Sequence, residues 1–211
     1  MKWPLVFVLA LALSTTGAWA DRYSDCGEGK NIDRQIRGCT QIIEGGEQEP
    51  QKNRANAHVY RALAYFVRGD FDLAIADYNK AIALNPNNAA AYNNRAAIYH
   101  EKGEYDRSIA DLTKAITIDP SKVYFINRGS VYSGMGQVER AIADYTMAMD
   151  LNPNDAIALD ANDAAAYNYR GVAHVMKGNK EQAIADFRKA LEIDPSLQPA
   201  KEQLERLGVT P

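Results

Sequence analysis

The chain contains internal copies of itself, and this repetition constrains its fold more than any other feature. The stretch at residues 156–171 reads AIALDANDAAAYNYRG and matches AIALNPNNAAAYNNRA, at residues 81–96, in 11 of 16 letters. Self-similarity at a period of a few tens of residues indicates a repeat architecture. In such an architecture, no unit buries its apolar face alone, so we expect a core formed by stacking neighbouring units.

Four copies appear when the chain is aligned on a recurrent small residue. They contain YRALAYF from Tyr60, NRAAIYH from Asn94, NRGSVYS from Asn127 and YRGVAHV from Tyr169. Each copy predicts an amphipathic helix, a turn containing glycine, a second amphipathic helix and a stop at Asn-Pro or Asp-Pro. The period is 34 residues, with one copy of 33. The turn glycines are Gly69, Gly103, Gly136 and Gly178.

The marked positions of these copies resemble the tetratricopeptide repeat (TPR) family. The small residue of the first helix is followed by an aromatic residue in three copies, and His174 stands there in the fourth. His58 stands at the first large position of the first copy. The resemblance implies an all-α solenoid of four helix-turn-helix repeats, wound as a right-handed superhelix. The small residues are Ala62, Ala96, Gly129 and Gly171, and the aromatics are Tyr65, Tyr99 and Tyr132.

The repeats divide the chain into segments. We expect a signal peptide at residues 1–20, an N-terminal capping segment with a cysteine pair and a linker at 21–53, a TPR domain at 54–197 and a C-terminal capping helix at 198–211. The four repeats occupy residues 55–88, 89–121, 122–155 and 164–197.

An insertion of eight residues, 156–163, separates the third repeat from the fourth. The octet AIALDAND directly follows a similar octet, AMDLNPND, and has Ala161 where the first has Pro153. Because the helix-breaking proline is absent, and Asp155 suits an N-cap, we predict that the first helix of the fourth repeat starts about two turns early. The alternative is a surface loop, favoured by the Asn-Asp pair that ends the octet. Either way, we expect the stacking of the third and fourth repeats to be unaltered.

Two segments are predicted to cap the stack. In NIDRQIRGCTQIIEGG, the residues Ile32, Ile36, Cys39 and Ile43 lie on one helical stripe, so the segment resembles a degenerate half-repeat. The following GGEQEPQKN is predicted to be a linker. At the other end, LQPAKEQLERLG predicts a helix with apolar residues inward and charges outward. Its inward residues are Leu197, Leu204 and Leu207, and its outward residues are Lys201, Glu202, Glu205 and Arg206.

The first twenty residues have the pattern of a secretory signal. MKWPLVFVLALALSTTGAWA combines an early cation, an apolar core of about ten residues and an A-x-A site ending at Ala20. A membrane-spanning anchor is the alternative, but the apolar core is well short of the roughly 20 residues required. We therefore expect an exported, periplasmic or secreted protein, soluble after cleavage and without membrane insertion.

Export determines how the two cysteines are interpreted. Cys26 and Cys39 form an even pair in a compartment where disulfides persist, so we predict that they bond to each other. The bond would fasten the first mature residues to the capping helix. A redox-active or metal-binding pair is the alternative, but the spacing is not C-x-x-C and no histidine lies nearby.

Every repeat carries an arginine before its small residue and an aspartate in the I-A-D of its second helix. Four arginines in register suggest either an anion site or a ladder of ion pairs between packed helices. Because the aspartates share the period, we favour the ladder and predict that Arg95 pairs with one of them. The arginines are Arg61, Arg95, Arg128 and Arg170, and the aspartates are Asp77, Asp111, Asp144 and Asp186.

Nothing in the sequence forms a catalytic constellation. The three histidines, His58, His100 and His174, occupy different phases of different repeats and are not spaced to share a metal. No serine lies in a G-x-S-x-G setting. The net charge of −3, without a basic run, gives no electrostatic reason to expect nucleic acid as a partner. We therefore predict a protein that is not an enzyme, without cofactor or metal.

In the TPR family, the first helices of successive repeats line a concave groove that holds a peptide. The resemblance thus implies a non-catalytic module that binds a peptide or protein partner of unknown identity. The alternative is a structural or self-assembling envelope protein whose repeats stack between chains. The residues predicted to line the groove are Tyr60, Leu63, Phe66, Val67, Asn93, Asn94, Ala97, Asn127, Asn168 and Tyr169.

The predicted groove changes in chemistry along the chain. The first repeat offers an apolar cluster, which suits an apolar anchor, and the middle repeats offer amides that can bond a peptide backbone. Burial of the cluster under the capping segment is the alternative. The sequence departs from the TPR subtype that clamps a C-terminal carboxylate, because Val59 and Leu63 stand where Lys and Asn are required.

Overall fold

The computed structural model describes residues 22–27, 31–151 and 161–210. The predicted signal peptide, residues 1–20, lies outside the described residues. Within them, the regular elements are helical and no strand occurs. None of the described helices is both long enough and apolar enough to cross a bilayer.

The chain divides into two compact units, Met1–Ile98 and Tyr99–Pro211. The helix α5 begins in the first unit and ends in the second. The helices of the first unit are α1 (residues 22–27), α2 (Ile32–Glu44), α3 (Gln51–Arg68), α4 (Phe71–Leu84) and the start of α5 (Ala89–Glu101). Those of the second unit are α6 (Tyr105–Ile118), α7 (Lys122–Gly134), α8 (Val138–Asp150), α9 (Ala161–Met176), α10 (Lys180–Ile193) and α11 (Gln198–Arg206).

Each predicted helix pair is present and turns at its predicted glycine. Gly69 follows α3 with a φ of 87°, in the left-handed region that only glycine enters without strain. Its N–H donates to the carbonyl of Phe66, which closes the end of the helix. At the other end of α4, the helix stops at Leu84, directly before Asn-Pro. The glycine turn and the Asn-Pro stop therefore fix where the helices of this hairpin end.

The second helices of the repeats bury the same four positions. In α8 these are Ala141, Asp144, Tyr145 and Ala148. The small residues allow close approach, and the ring of Tyr145 fills the space beside Gly129 of α7. A Cβ placed on Gly129 would lie 2.8 Å from that ring, so glycine is required for this contact. The equivalent buried residues are Ala74, Asp77, Tyr78 and Ala81 in α4, Ser108, Asp111, Leu112 and Ala115 in α6, and Ala183, Asp186, Phe187 and Ala190 in α10.

The N-terminal cap is stapled as predicted, but its helix is rotated from the predicted stripe. Cys26 of α1 and Cys39 of α2 form a disulfide, with Cα atoms 4.6 Å apart. Of the stripe predicted to be buried, only Cys39 is fully inside. The backbone of α1 packs directly on Gly38, where a Cβ would lie 2.8 Å from the carbonyl oxygen of Arg22. This close approach centres the buried face of α2 beside Gly38 and leaves Ile32, Ile36 and Ile43 half-buried at its edge, where Ile43 still packs against the core. The buried residues of α2 are Gln35, Gly38, Cys39 and Ile42, in place of Ile32, Ile36 and Ile43.

The predicted linker is largely structured. Residues 46–48 form a 3-10 turn, and α3 begins at Gln51, so the last three linker residues are its first turn. Pro50 sets this start, because its fixed φ suits the position before a helix. The side chain of Glu49 is buried and contacts Arg22 and Tyr23 of α1. These contacts therefore hold the linker against α1.

The C-terminal cap has the predicted amphipathic pattern. Leu204 is fully buried in α11, and Leu197 and Leu207 pack against the same cluster as Phe187 of α10. The charged residues of the helix face outward, except that Lys201 is half-buried. The apolar end of the repeat stack is therefore covered.

The inserted octet is described only in part. Its last three residues, 161–163, belong to α9, whereas residues 152–160 lie outside the described residues. The earlier start at residue 156 therefore stays a prediction. The helix α9 packs against both α7 and α8 of the third repeat, as the predicted stacking requires.

Candidate functional site

The first repeat presents an open apolar stripe on α3. Tyr60 and Leu63 are each 41% exposed, and Val67 is 63% exposed. Their spacing of three and four residues places them on one side of the helix. Phe66, predicted to belong to the same face, is half-buried and its ring lies 5.8 Å from that of Phe71. The cap therefore leaves three of the four predicted apolar residues uncovered in the first unit.

The predicted amide residues of α5 are partly engaged within the fold. Asn93 donates from Nδ2 to Oδ1 of Asn94 at 3.2 Å. Asn94 also hydrogen-bonds the hydroxyl of Tyr78, which reaches this face from α4. Burial raises the pKa of Tyr78 to about 12, although this hydrogen bond works against the increase. Ala97 is exposed on the same helix. The face is therefore polar but partly committed to internal hydrogen bonds.

The first helices of the second unit place their predicted residues differently. Asn127 is half-buried, and Tyr169 is exposed and stacks on Tyr145, with ring centroids 5.8 Å apart. Burial raises the pKa of Tyr145 to about 12. Asn168 is only 7% exposed, and its Oδ1 has no hydrogen-bond partner within the part of the chain that the structure describes. Asn168 thus points into the fold rather than offering an open amide.

The recurring arginines and aspartates form ion pairs within their own repeats. In the third repeat, Arg128 donates from Nε to Asp144 Oδ2 at 2.8 Å and from Nη2 to Oδ1 at 2.7 Å. The same two-pronged pair joins Arg61 to Asp77 and Arg170 to Asp186. The predicted ladder is therefore confirmed in three repeats.

Arg95 of the second repeat donates to the side chain of Asn79 in α4. Its pairing with an aspartate of the series stays a prediction.

A third contact of each arginine was not anticipated from the sequence. Arg128 Nη1, which does not contact Asp144, donates to Thr113 Oγ1, on the second helix of the preceding repeat, at 3.0 Å. Arg170 reaches Thr146 in the same way, and Arg61 reaches Thr40 of the cap. The signal was present, since a short polar residue lies two positions after three of the four aspartates, at Asn79, Thr113 and Thr146. With Nε, Nη1 and Nη2 all donating inside the fold, the geometry favours the structural role over an anion site.

The first repeat adds a histidine to its ion pair. His58 Nδ1 lies 2.8 Å from Asp77 Oδ1, on the side of the carboxylate that Arg61 Nη2 also contacts. Burial alone would raise the pKa of Asp77, but the hydrogen bonds from Arg61 and His58 outweigh it and hold the pKa below its ordinary value. Hydrogen bonding to Asp77 raises the pKa of Arg61. The pair therefore stays ionised at neutral pH.

The part of the chain that the structure describes offers no group of three or more His, Cys, Asp or Glu side chains able to hold a metal ion. The histidine and carboxylate side chains brought together at Asp77 belong to an ion pair between packed helices. The apolar side chains exposed on α3 lie on another side of that helix from this ion pair.

Comparisons with known proteins agree with this geometry. Models described as TPR repeat and tetratricopeptide repeat match residues 62–103, 89–122, 124–155 and 164–197, which is more than half of the chain. The chain belongs to the tetratricopeptide repeat family. No curated protein matches the sequence significantly.

Solved structures share this TPR fold. A crystal structure of MamA protein is 22% identical, with 91% of this chain and 94% of that chain covered and a TM-score of 0.68. MamA from Desulfovibrio magneticus RS-1, from residue 41 to its end, is 18% identical over 86% and 96% of the two chains, with a TM-score of 0.70. These identities show the fold alone.

A third structure carries a ligand. The first TPR of Spaghetti (RPAP3), bound to the HSP90 peptide SRMEEVD, is 27% identical. The match covers 57% of this chain and 90% of that chain, with a TM-score of 0.51.

Proposed function

We propose that this TPR protein is a non-catalytic interaction module that binds a peptide or protein partner, and that the open face of α3 is its main anchor. The observation that carries the proposal is the exposure of Tyr60, Leu63 and Val67 on one side of a helix whose other sides are packed. Exposed apolar side chains in a contiguous row favour contact with another apolar surface. The row supplies the hydrophobic centre that binding interfaces use for most of their affinity.

The peptide-bound RPAP3 domain supports the use of TPR helices for peptide binding, but not the same specificity. That domain is bound to SRMEEVD, a peptide with two adjacent glutamates. The first repeat of this chain has Val59 and Leu63 where the carboxylate-clamping subtype has Lys and Asn. The side chains that α3 exposes would therefore select an apolar residue in the partner rather than a carboxylate.

The binding proposal is tested by comparing the mature chain with two variants, each of which replaces an exposed leucine by glutamate. Leu63→Glu places a charge in the centre of the α3 face. Leu73→Glu places the same charge at a 49% exposed leucine of α4 and serves as the control. Used as bait for the exported fraction, the wild type and Leu73→Glu should retain the same partner, and Leu63→Glu should lose it. Equal retention by both variants would exclude the α3 face as the anchor.

We further propose that the protein acts outside the cytoplasm. The leader pattern and the disulfide support this, since disulfides persist in oxidising compartments. Mass analysis of the protein recovered from expressing cells should show a chain that begins at Asp21 and lacks two thiol protons. An intact leader on the recovered protein, or two free thiols, would contradict export.

Self-association is the second candidate function, because the same exposed row on α3 could contact a second copy. Sedimentation at two concentrations distinguishes the two functions. A partner-binding module stays monomeric at both, whereas an assembling protein gains mass with concentration and loses that gain in Leu63→Glu.

A further inference from the structure

A small cavity lies where the stapled cap meets α3. It has a volume of about 110 Å³ and is open to the surface. Its lining is largely apolar and includes the buried residues Cys26, Ile42 and Ala57 and the exposed tyrosines Tyr23 and Tyr60. The lining also contains Gly27, Asn53 and Asn56, and Asn53 donates from Nδ2 to the Tyr23 hydroxyl at 3.3 Å.

We propose that this cavity is a binding pocket for one apolar side chain, of leucine or methionine size, from a partner polypeptide. The inference rests on the proposed function and adds a specificity pocket to it. An apolar cavity of about 150 Å³ accepts a benzene molecule. A cavity of 110 Å³ therefore has room for a branched or linear aliphatic side chain, but not for an indole.

The occupant follows from the continuity of the pocket with the α3 face. Tyr60 is both a wall of the pocket and the first member of the exposed row that continues through Leu63 to Val67. A partner lying along that row reaches the pocket at Tyr60 without changing direction. One side chain inserted there would be enclosed on several sides, which is the environment in which interface residues contribute most to affinity.

The cap and the first repeat form the pocket together. Three of its lining residues, Tyr23, Cys26 and Gly27, come from α1, which the disulfide holds against α2. The repeats alone could not form it, so selectivity for an apolar side chain at this point depends on the staple. Loss of the disulfide should release the α1 wall and weaken binding in the pocket.

The test uses isobutanol, a water-soluble probe that carries the isobutyl group of a leucine side chain, and needs no partner. In the oxidised mature protein, titration with isobutanol should shift the methyl resonances of Ile42 and Ala57 saturably, with a dissociation constant in the millimolar range. Ala57→Val adds two methyl groups inside the pocket and should weaken binding at least tenfold. Leu73→Glu is the control and should bind as the wild type does. Circular dichroism and the melting midpoint establish that each variant is folded.

A second variant separates the pocket from general folding effects. The double variant Cys26→Ser with Cys39→Ser should remain folded in its repeats and lose most of the isobutanol response. Absence of a saturable shift in the folded, oxidised wild type would overturn the proposal, as would equal binding by folded Ala57→Val. The partner test with Leu63→Glu stands apart from these outcomes, so failure of the pocket and failure of the proposed function are distinguishable.

Discussion

Arg128 should be one of the most sensitive single positions in the second unit. Its guanidinium donates twice to Asp144, whose side chain is only 7% exposed, and once to Thr113. Arg128→Leu removes all three donors and leaves the carboxylate buried without its counter-charge. Breaking a buried ion pair in this way costs about 3–5 kcal/mol, far more than the roughly 0–1 kcal/mol of an exposed pair.

The two halves of the pair should not be equivalent. The side chain of Arg128 is 18% exposed, so after Asp144→Leu the guanidinium can turn towards water, and we expect a smaller loss of about 1–3 kcal/mol. The double variant Arg128→Leu with Asp144→Leu removes both charges and should be more stable than Arg128→Leu alone. Replacement of a buried pair by apolar residues is often neutral, which is the basis of this expectation.

The assay is thermal and urea unfolding of the four proteins followed by circular dichroism at 222 nm. A loss of about 3 kcal/mol corresponds to a drop of roughly 6–12 °C in the melting midpoint for a chain of this size. Arg140→Leu, at an exposed arginine of α8, is the control and should change stability by less than about 0.5 kcal/mol. If Arg128→Leu is no worse than Arg140→Leu, or if the double variant shows the simple sum of the two losses, the ladder is not a structural device.

Three further predictions follow from single positions. Asp77→Asn should lose at least about 1 kcal/mol of stability at pH 7. Its stability should also fall less steeply than that of the wild type below pH about 4, because the lowered pKa of Asp77 gives a stabilisation that is present above the pKa of the unfolded chain and disappears as the carboxylate is protonated. Urea midpoints between pH 2 and 7 measure this, and parallel curves would contradict it. Gly129→Ala should lose about 1–3 kcal/mol by crowding the Tyr145 ring, whereas Gly134→Ala in the same helix, with open space beside it, should be neutral or stabilising in the same melts. The Cys26→Ser and Cys39→Ser double variant should lose about 3 kcal/mol in the chain-entropy treatment of a short loop, read as the urea midpoint of oxidised wild type against the variant, and unchanged midpoints would show that the staple adds no stability.

The hairpins could be predicted from the sequence because their signals are local. A glycine at a left-handed turn, a proline after the second helix and a small residue facing a ring each act through their own neighbours. The pairing of Arg128 with Asp144 could also be predicted, because both recur with the period of the repeat. The period could not show whether each arginine pairs with the aspartate of its own repeat or with that of a neighbouring repeat, because both aspartates occupy the same position of the repeat.

The face of α2 could not be predicted from its apolar residues alone. Its isoleucines suggested one stripe, yet Gly38 and Gln35 are buried and Ile32 is not. The reason is an approach by another segment, α1, that leaves no room for a side chain at position 38.

The cap is better understood as a fifth repeat that has lost its ion pair. Arg22 and Gly38 are sixteen residues apart, the separation of Arg61 and Asp77, so Gly38 stands where the repeats have an aspartate. Without that carboxylate, Arg22 contacts Glu49 instead, and the backbone of α1 approaches α2 more closely than an aspartate would permit.

The same register explains the position of the disulfide. Cys26 lies four residues after Arg22, as Tyr65 lies four after Arg61, and Cys39 follows Gly38 as Tyr78 follows Asp77. The two cysteines therefore occupy the positions at which an aromatic side chain of each helix packs in the first repeat. A covalent bond therefore takes the place of the packing of these two aromatic side chains. Thr40 keeps its place in this register and accepts a hydrogen bond from Arg61, as Thr113 does from Arg128. The staple thus holds α1 on α2, and α2 packs on α3 as the second helix of one repeat packs on the first helix of the next.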